Sequence, residues 1–341
     1  MNTSEFDYDL PPHLIAQTPL QNRSESKLLI LNRKTGEITH QKFSDIITHL
    51  TPNDVLVFND TQVIKARLYV QKPSGAHLEI LLLEPTTSDM HWNCLIKNAR
   101  RLKVGDTLPL SNTTSITLIH KTQDSPIHTI AFNSTDAIWD ILNTHGQIPL
   151  PPYITSPIEN AEERYQTVFA KNKGAIAAPT AGLHFTTDIL DQLKALHIQT
   201  ETITLHVGYG TFKPIESDSI LDHPMHHETI HISPQTATAI NQAKAQKKRI
   251  IAVGTTVVRT LESSIKNGQL HAGSHSTNLF IYPGYQFNIV DALITNFHLP
   301  KSTLMCMISA LAGLDQIKTA YTQAIANNYR FYSFGDAMMI I

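Results

Sequence analysis

The run Asp291 to Thr303 constrains the fold of this 341-residue chain more than any other segment. It reads as a buried strand ending in polar residues, followed by Pro300, a Ser302–Thr303 cap and a helix from Leu304 to Leu311. A strand that enters a helix through a loop bearing His, Asn, Lys and Thr is where an open α/β sheet keeps its chemistry. Four further segments repeat the arrangement. Val55–Phe58 ends in Asn59, Asp60 and Thr61; Ala175–Ala178 runs into Pro179, Thr180 and His184, with Thr186 and Thr187 capping a helix from Asp188 to Leu196. Glu201–Leu205 ends in His206, Gly208 and Gly210, and Ile250–Val253 ends in Gly254, Thr255 and Thr256, opening a helix from Val257 to Lys266. If the five strands are parallel neighbours, their polar ends share one edge, and that edge gains helix N-termini suited to anions.

The stretch between about 62 and 148 has a different character. Short β-like runs at Val63–Val70, His77–Leu83, Trp92–Ile96, Ser115–Ile119 and His128–Phe132 are separated by turn signals such as Pro73–Gly75 and Gly105–Asp106. Closely spaced short strands predict a small β-barrel. Trp139–Thr144 predicts a short helix, and Pro149–Pro152 a stiff connector. The expected fold is therefore α/β: a larger α/β domain, Rossmann-like or a distorted barrel, formed by residues 1–61 and 149–341, with a small all-β barrel inserted at 62–148.

Composition narrows the function. A hydrophobic content of 41% supports a sizeable core, and the net charge of −2 gives no global field for nucleic acid, so any polynucleotide must be held by a local patch. Cys94 and Cys306 sit in apolar runs and read as packed thiols in a reducing compartment. Residues 1–10 hold three acids and no base, unlike a signal peptide, and no apolar run approaches the ~20 residues of a membrane span. A soluble, cytoplasmic protein is expected, acting as a monomer.

Several motifs resolve against simpler readings. Gly208-Tyr-Gly210 lacks the third glycine of a dinucleotide fingerprint and reads as a tight turn or a close backbone approach. No Gly-rich phosphate loop ending in Lys-Ser/Thr occurs, which removes the main support for nucleotide triphosphate hydrolysis. Gly254-Thr255-Thr256 with Arg259 one turn later suits a carboxylate or phosphate; the plainer alternative is a capped helix with a surface arginine. The segment His223–Glu228 is dense in titratable groups. Zinc would need three or four ligands, and His184, His206 and His298 lack metal-type local spacing, so no metal is expected. General acid/base work fits better, with Glu228 able to hold a tautomer. Lys97, Arg100, Arg101 and Lys103 are the densest basic cluster of the insert, and Lys244, Lys247, Lys248 and Arg249 form a second. Either could meet RNA phosphates or be a solvated turn. Residues 61–155 hold eight basic and seven acidic residues, so charge alone does not make an RNA domain.

These blocks, with Phe6–Pro11, Leu14–Gln17, Pro149–Tyr153, Glu163–Thr167, Phe280–Gly284 and Tyr332–Ala337, resemble the S-adenosylmethionine:tRNA ribosyltransferase-isomerase family of queuosine biosynthesis over nearly the whole chain. Departures are small: Tyr209 and Val257 stand where Leu and Ser are expected, His227 where Ser is expected, and Lys97–Arg100 is less glycine-rich. The resemblance implies transfer and isomerisation of the ribosyl group of S-adenosylmethionine onto 7-aminomethyl-7-deazaguanine at the tRNA wobble position. The products are epoxyqueuosine-tRNA, adenine and methionine. S-adenosylmethionine is then a consumed substrate, and no cofactor is needed.

That chemistry needs a base for a C5′ hydrogen acidified by the sulfonium, an acid for adenine, an anchor for the methionine carboxylate and a slot for an extruded base. The residues expected to serve it are His206, His226 and His298 as acid/base groups, supported by His184, Glu228 and Asp60. Substrate binding is expected from Thr180, Gly208, Gly210, Gly254, Thr255, Thr256, Arg259 and Asn296, and tRNA contact from Lys97, Arg100, Arg101 and Lys103. Phe185, Tyr209, Phe212 and Phe297 are stacking candidates for the wobble base, although each reads more simply as a core aromatic. A metal-dependent hydrolase built on the histidines, or a non-catalytic tRNA-binding module, are the competing classes.

Overall fold

A computed structural model of the chain describes residues 1–72, 75, 77–122, 125–212 and 214–341, with the backbone alone at 101, 211 and 212. Pro73 and Ser74 of the expected turn lie outside the described residues. The chain divides into two compact units: Met1–Gln62, Pro152–Asn172 and Ala178–Ile341 form one, and Val63–Pro151 with Lys173–Ala177 the other.

The larger unit is built on a mixed nine-stranded sheet. Its middle is four adjacent parallel strands in the spatial order Gln199–Leu205, Asp54–Asn59, Arg249–Val253 and Ala292–Asn296. Every residue of Asp54–Asn59 and Ala292–Asn296 is buried, which is why these segments are continuous apolar runs rather than alternating ones. Ala337–Ile340 runs antiparallel to Ala292–Asn296 and parallel to Lys27–Leu31, and Ile38–Lys42 closes that side. On the other side Glu228–Ile232 and Gly273–Thr277 add two antiparallel strands. The two edge strands are mostly polar and exposed, as unpaired sheet edges require.

Four of the five expected strand ends thus come together. The fifth does not. Ala175 ends a short strand, Asn172–Ala175, that is not part of the large sheet, and Ile176 packs in the core of the second unit. The four-residue apolar run Ala175–Ala178 is too short for local pattern to tell a sheet strand from a connector. The Thr180–His184 segment instead forms a single 3-10 turn, after which Thr186 Oγ1 accepts from the Ile189 N–H at 3.3 Å and starts the helix Thr187–Ala195.

The starts of the parallel strands are pinned by charge. Arg249 donates to both Asp54 carboxylate oxygens at 2.7 and 3.0 Å, and Asp291 accepts from Lys244 Nζ at 3.1 Å and from the Ile250 N–H at 2.8 Å. The second basic run is therefore partly spent on register. One face of the sheet, with Leu56, Phe58, Ile251 and Ile294, packs against Phe43, Phe185, Ile189 and Leu193.

The second unit is a nearly closed six-stranded antiparallel barrel of Arg67–Gln71, His77–Pro85, His91–Ile96, Ile127–Asn133, Ser115–Lys121 and Thr107–Pro109 in spatial order. Alternating residues point inward to a core that includes Trp92, Cys94, Ile116, Leu118 and Ile130. The short Thr107–Pro109 strand carries too few residues to show its period and was not legible in the sequence. Cys94 and Cys306 are buried free thiols, and burial pushes both up to about 12. Among the described residues no helix is long and apolar enough to cross a membrane.

Candidate active site

The ends of the parallel strands are joined side to side by buried polar groups. Asn59, 1% exposed, donates to the Leu205 carbonyl at 3.0 Å and to Thr256 Oγ1 at 3.2 Å, while its own Oδ1 accepts from the Leu205 and Thr61 N–H groups. One side chain thus ties three neighbouring strand ends. Asp60 Oδ1 accepts from Thr204 Oγ1 at 2.6 Å and Asn172 Nδ2 at 3.0 Å. Thr61 Oγ1 lies 2.8 Å from His206 Nδ1. Burial lowers the His206 pKa, opposed by the charge of Asp60, so this imidazole is neutral at pH 7.

A cleft of about 660 Å³, part of it open to solvent, lies along this edge. Its walls are Pro179–Ala181, Val207, Gly254–Thr256, Thr295–Leu299 and the pair Tyr332–Ser333 with Tyr153. Gly254 has φ +95°, a conformation that only glycine adopts without strain, and its N–H bonds the Ile294 carbonyl at 2.8 Å. That turn starts the buried helix Thr255–Ser263 at the cleft wall. His298 is held from several sides. Its N–H donates to Tyr321 Oη at 2.9 Å, its carbonyl accepts from the Tyr8 hydroxyl, and its Nε2 meets Thr295 Oγ1 at 2.9 Å. Burial pushes its pKa down to about 3, so it is an uncharged imidazole at neutral pH.

A second cavity of about 440 Å³, much of it open to solvent, shares Leu304 with the first. It is lined by Gly210, His226, Glu228, Arg259, Phe280 and Met307, among others. Arg259 and Glu228 form a buried ion pair through Arg259 Nη1, and Arg259 Nε donates to the Leu279 carbonyl at 3.1 Å. Arg259 Nη2 is closed to solvent and has no acceptor among the described residues. Glu228 Oε1 also accepts from the Gly208 N–H at 3.3 Å. Gly210 is glycine because His226 lies against it: a Cβ there would come within 2.1 to 2.8 Å of the His226 side chain. The close backbone approach expected of this Gly-x-Gly turn is to a side chain of the protein itself.

The expected site residues are therefore distributed. Thr180, Gly254, Thr255, Thr256, Asn296 and His298 line the first cavity, and Gly210, His226, Glu228 and Arg259 the second. Asp60 and His206 stand at the same strand edge without lining either. His184 lies behind Asn296, stacked on Phe43 at 4.9 Å, with a pKa pushed down to about 3 by burial and then by the Arg330 guanidinium. Phe185 and Phe297 are core side chains at 0% exposure, whereas Tyr209 is exposed. The Phe212 and Arg101 side chains lie outside the described residues. Lys97, Arg100 and Lys103 are exposed around the turn Ala99–Arg101 of the barrel unit, whose carbonyls at Ala99 and Leu102 are tied down by Lys121 Nζ. Among the described residues no three His, Cys, Asp or Glu side chains converge on a metal position.

Sequence reasoning missed Tyr8, Tyr153, Tyr332 and Ser333. Tyr153 Oη lies 2.5 Å from Ser333 Oγ and accepts from its N–H at 3.2 Å, and Tyr332 takes φ +72°, a strained value for a bulky residue. Their motif blocks were visible, but a tyrosine far along the chain carries no local sign of which cavity it closes.

Comparison with known proteins places these cavities in context. The family model described as queuosine biosynthesis protein matches residues 3–340. A protein of Halothermothrix orenii, 46% identical over 343 residues, and one of Carboxydothermus hydrogenoformans, 47% identical over 342, align with all of this chain and over their own full lengths. Both are named S-adenosylmethionine:tRNA ribosyltransferase-isomerase. A crystal structure of S-adenosylmethionine tRNA ribosyltransferase from Thermotoga maritima is 35% identical, covers 99% of this chain and 100% of its own, and superposes with a TM-score of 0.58.

Proposed function

The chain belongs to the queuosine biosynthesis protein family, and on that premise we propose how its two cavities divide S-adenosylmethionine between them. The nucleoside lies in the larger cleft and the methionine end in the smaller cavity, with the sulfonium sulfur passing Leu304. The acceptor is 7-aminomethyl-7-deazaguanine at the wobble position of a tRNA, and the products are epoxyqueuosine-tRNA, adenine and methionine.

The observation that carries this division is the unmet Arg259 Nη2 beside an Arg259–Glu228 pair. A buried guanidinium donor without an acceptor leaves charge-assisted bonding unused. The methionine end is a zwitterion, and a paired guanidinium and carboxylate match it sign for sign: Arg259 takes the carboxylate and Glu228 faces the ammonium. Net charge in the cavity then stays near zero, and pairing each charge offsets part of the cost of burying it. Gly254, Thr255, Thr256 and Thr180 line the nucleoside cleft.

The imidazoles supply proton transfer. His206, uncharged at neutral pH, presents an acceptor nitrogen for the C5′ proton, and the buried His298, a much weaker base, is placed to hydrogen-bond the substrate. His226, exposed at the rim of the methionine cavity, is placed for the later proton steps. Asp60 orients the Thr204 and Asn172 side chains beside His206. On the barrel, Lys97, Arg100, Arg101 and Lys103 hold phosphates of the anticodon arm. The relatives' shared name does not favour a hydrolase or a non-catalytic module.

The test is mass spectrometry of substrate tRNA after incubation with the purified protein and S-adenosylmethionine, with adenine and methionine release followed in parallel. The expected result is one added ribosyl-derived group per tRNA and one adenine released. An unmodified tRNA with no adenine released would overturn the reading.

A further inference from the structure

We propose that Asn296 recognises an amino group on the heterocyclic base held in the larger cleft, and that His184 is a positioning residue that sets which end of the Asn296 amide meets it. Asn296 is 2% exposed and lines that cleft at the end of the central strand Ala292–Asn296. Its Nδ2 donates to the Tyr332 carbonyl at 3.3 Å and to His184 Nε2 at 3.1 Å. A carbonyl only accepts, so the NH₂ end must face Tyr332 and the amide has a single orientation. His184 Nε2 is then the bare nitrogen of a neutral imidazole, and the proton sits on Nδ1. That proton goes to Ser26 Oγ at 2.7 Å, and Ser26 in turn donates to the Arg23 carbonyl at 3.3 Å. Every donor in this chain has an acceptor, and the polarity runs one way from Asn296 to Arg23.

The amide oxygen is left over. Asn296 Oδ1 has no donor among the described residues and is closed to solvent. A buried acceptor without a donor is uncommon in native structures and calls for a partner the protein itself does not provide. The cleft that Asn296 lines is largely apolar, with Pro179, Ala181, Val207 and Phe297, which suits an aromatic ring carrying an N–H donor rather than a phosphate. Burial keeps His184 uncharged throughout the neutral range, so the relay does not reverse with pH.

Two ligands of the proposed reaction carry such a group: the 6-amino group of adenine, and the 2-amino edge of the deazaguanine. This inference rests on the function proposed above. Its test compares each ligand with its deaminated form in the unmodified protein. Calorimetry is run with S-adenosylmethionine against its 6-oxo analogue, and competition binding with tRNA carrying the deazaguanine against tRNA lacking its 2-amino group. One arm should show a preference of about 100-fold or more for the amino form, since a site built to bond a donor rejects a ligand without it. The arm that shows it identifies the base. Asn296→Ala should bring that ratio to within about threefold. His184→Ala should lower it part-way while leaving affinity for the deaminated form unchanged. The ratio is taken within each protein, so a general loss of folding does not imitate it. Equal binding of amino and deaminated forms in both arms overturns the inference alone. Failure of either amino ligand to bind the unmodified protein overturns the proposed function with it.

Discussion

Arg259 and Glu228 form an ion pair in which both side chains are more than nine-tenths buried, Glu228 on a sheet-extending strand and Arg259 one turn into the helix that starts at Thr255. A surface arginine at a helix start was the plain alternative for this position, and burial removes it. Pairing also sets how substitutions there should behave.

Arg259→Ala leaves the Glu228 carboxylate buried without its cation and should cost about 3–5 kcal/mol of stability. The joint change Arg259→Met with Glu228→Leu removes both charges and should recover most of that loss. Affinity for S-adenosylmethionine should stay low in the double variant by about 2 kcal/mol or more, because the charge-assisted bonds to the amino-acid end are gone. Urea unfolding with calorimetry separates the two effects. Full affinity in the stable double variant would remove the carboxylate assignment.

His298→Gln and His206→Gln test proton transfer. Loss of a general base lowers turnover by about 10²–10⁴-fold, with substrate affinity retained. Single-turnover adenine release distinguishes the two, since only the residue that takes the C5′ proton should slow the first release. Rates within threefold of the parent for both, and for His226→Gln, would exclude imidazole catalysis.

Acid sensitivity follows from His184 and His298. Each has a folded-state pKa of about 3, against an ordinary value near 6.5. Between those values the unfolded chain binds a proton at each site that the folded chain does not, so stability is present in full above about pH 6.5 and falls as pH drops towards 3. The slope should be about 1.4 kcal/mol per pH unit for each histidine. Urea midpoints measured from pH 7 to 4 should show it, and His298→Asn should remove one proton's share. A flat profile would mean that these rings are not buried neutral.

Gly210→Ala places a methyl group against the His226 ring. The overlap includes the His226 Cβ, which ring rotation does not move, so the backbone there must shift and stability should fall by about 1–3 kcal/mol. Turnover should fall, and the His226 ring resonances should shift. Unchanged stability and unchanged resonances would show that Gly210 and His226 are not packed together.

Neutralising Lys97, Arg100, Arg101 and Lys103 together should flatten the slope of log tRNA affinity against log salt, by about one unit for each phosphate that no longer meets a cation. Binding of free S-adenosylmethionine should be unaffected. An unchanged slope would move the RNA-binding surface elsewhere.

The sequence by itself determined which segments could be strands and which ends would be polar. A strand buried on both faces must be a continuous apolar run, so Asp54–Asn59, Arg249–Val253 and Ala292–Asn296 announce themselves. The alternation of the barrel strands announces one wet face in the same way. Glycine at 254 and the Thr-Thr pair marked the helix start for a local reason, a positive φ that other residues avoid. Only the tertiary structure decided what those polar ends do. His184, His206, His226 and His298 look alike as letters, yet one props an asparagine, one meets a threonine at a strand end, one packs on a glycine and one is clasped by two tyrosines. Their partners Ser26, Thr61, Gly210, Tyr8 and Tyr321 are mostly distant in the chain, and local periodicity holds no information about such pairings. Burial and partner set the charge and tautomer of an imidazole, and both are properties of the folded neighbourhood.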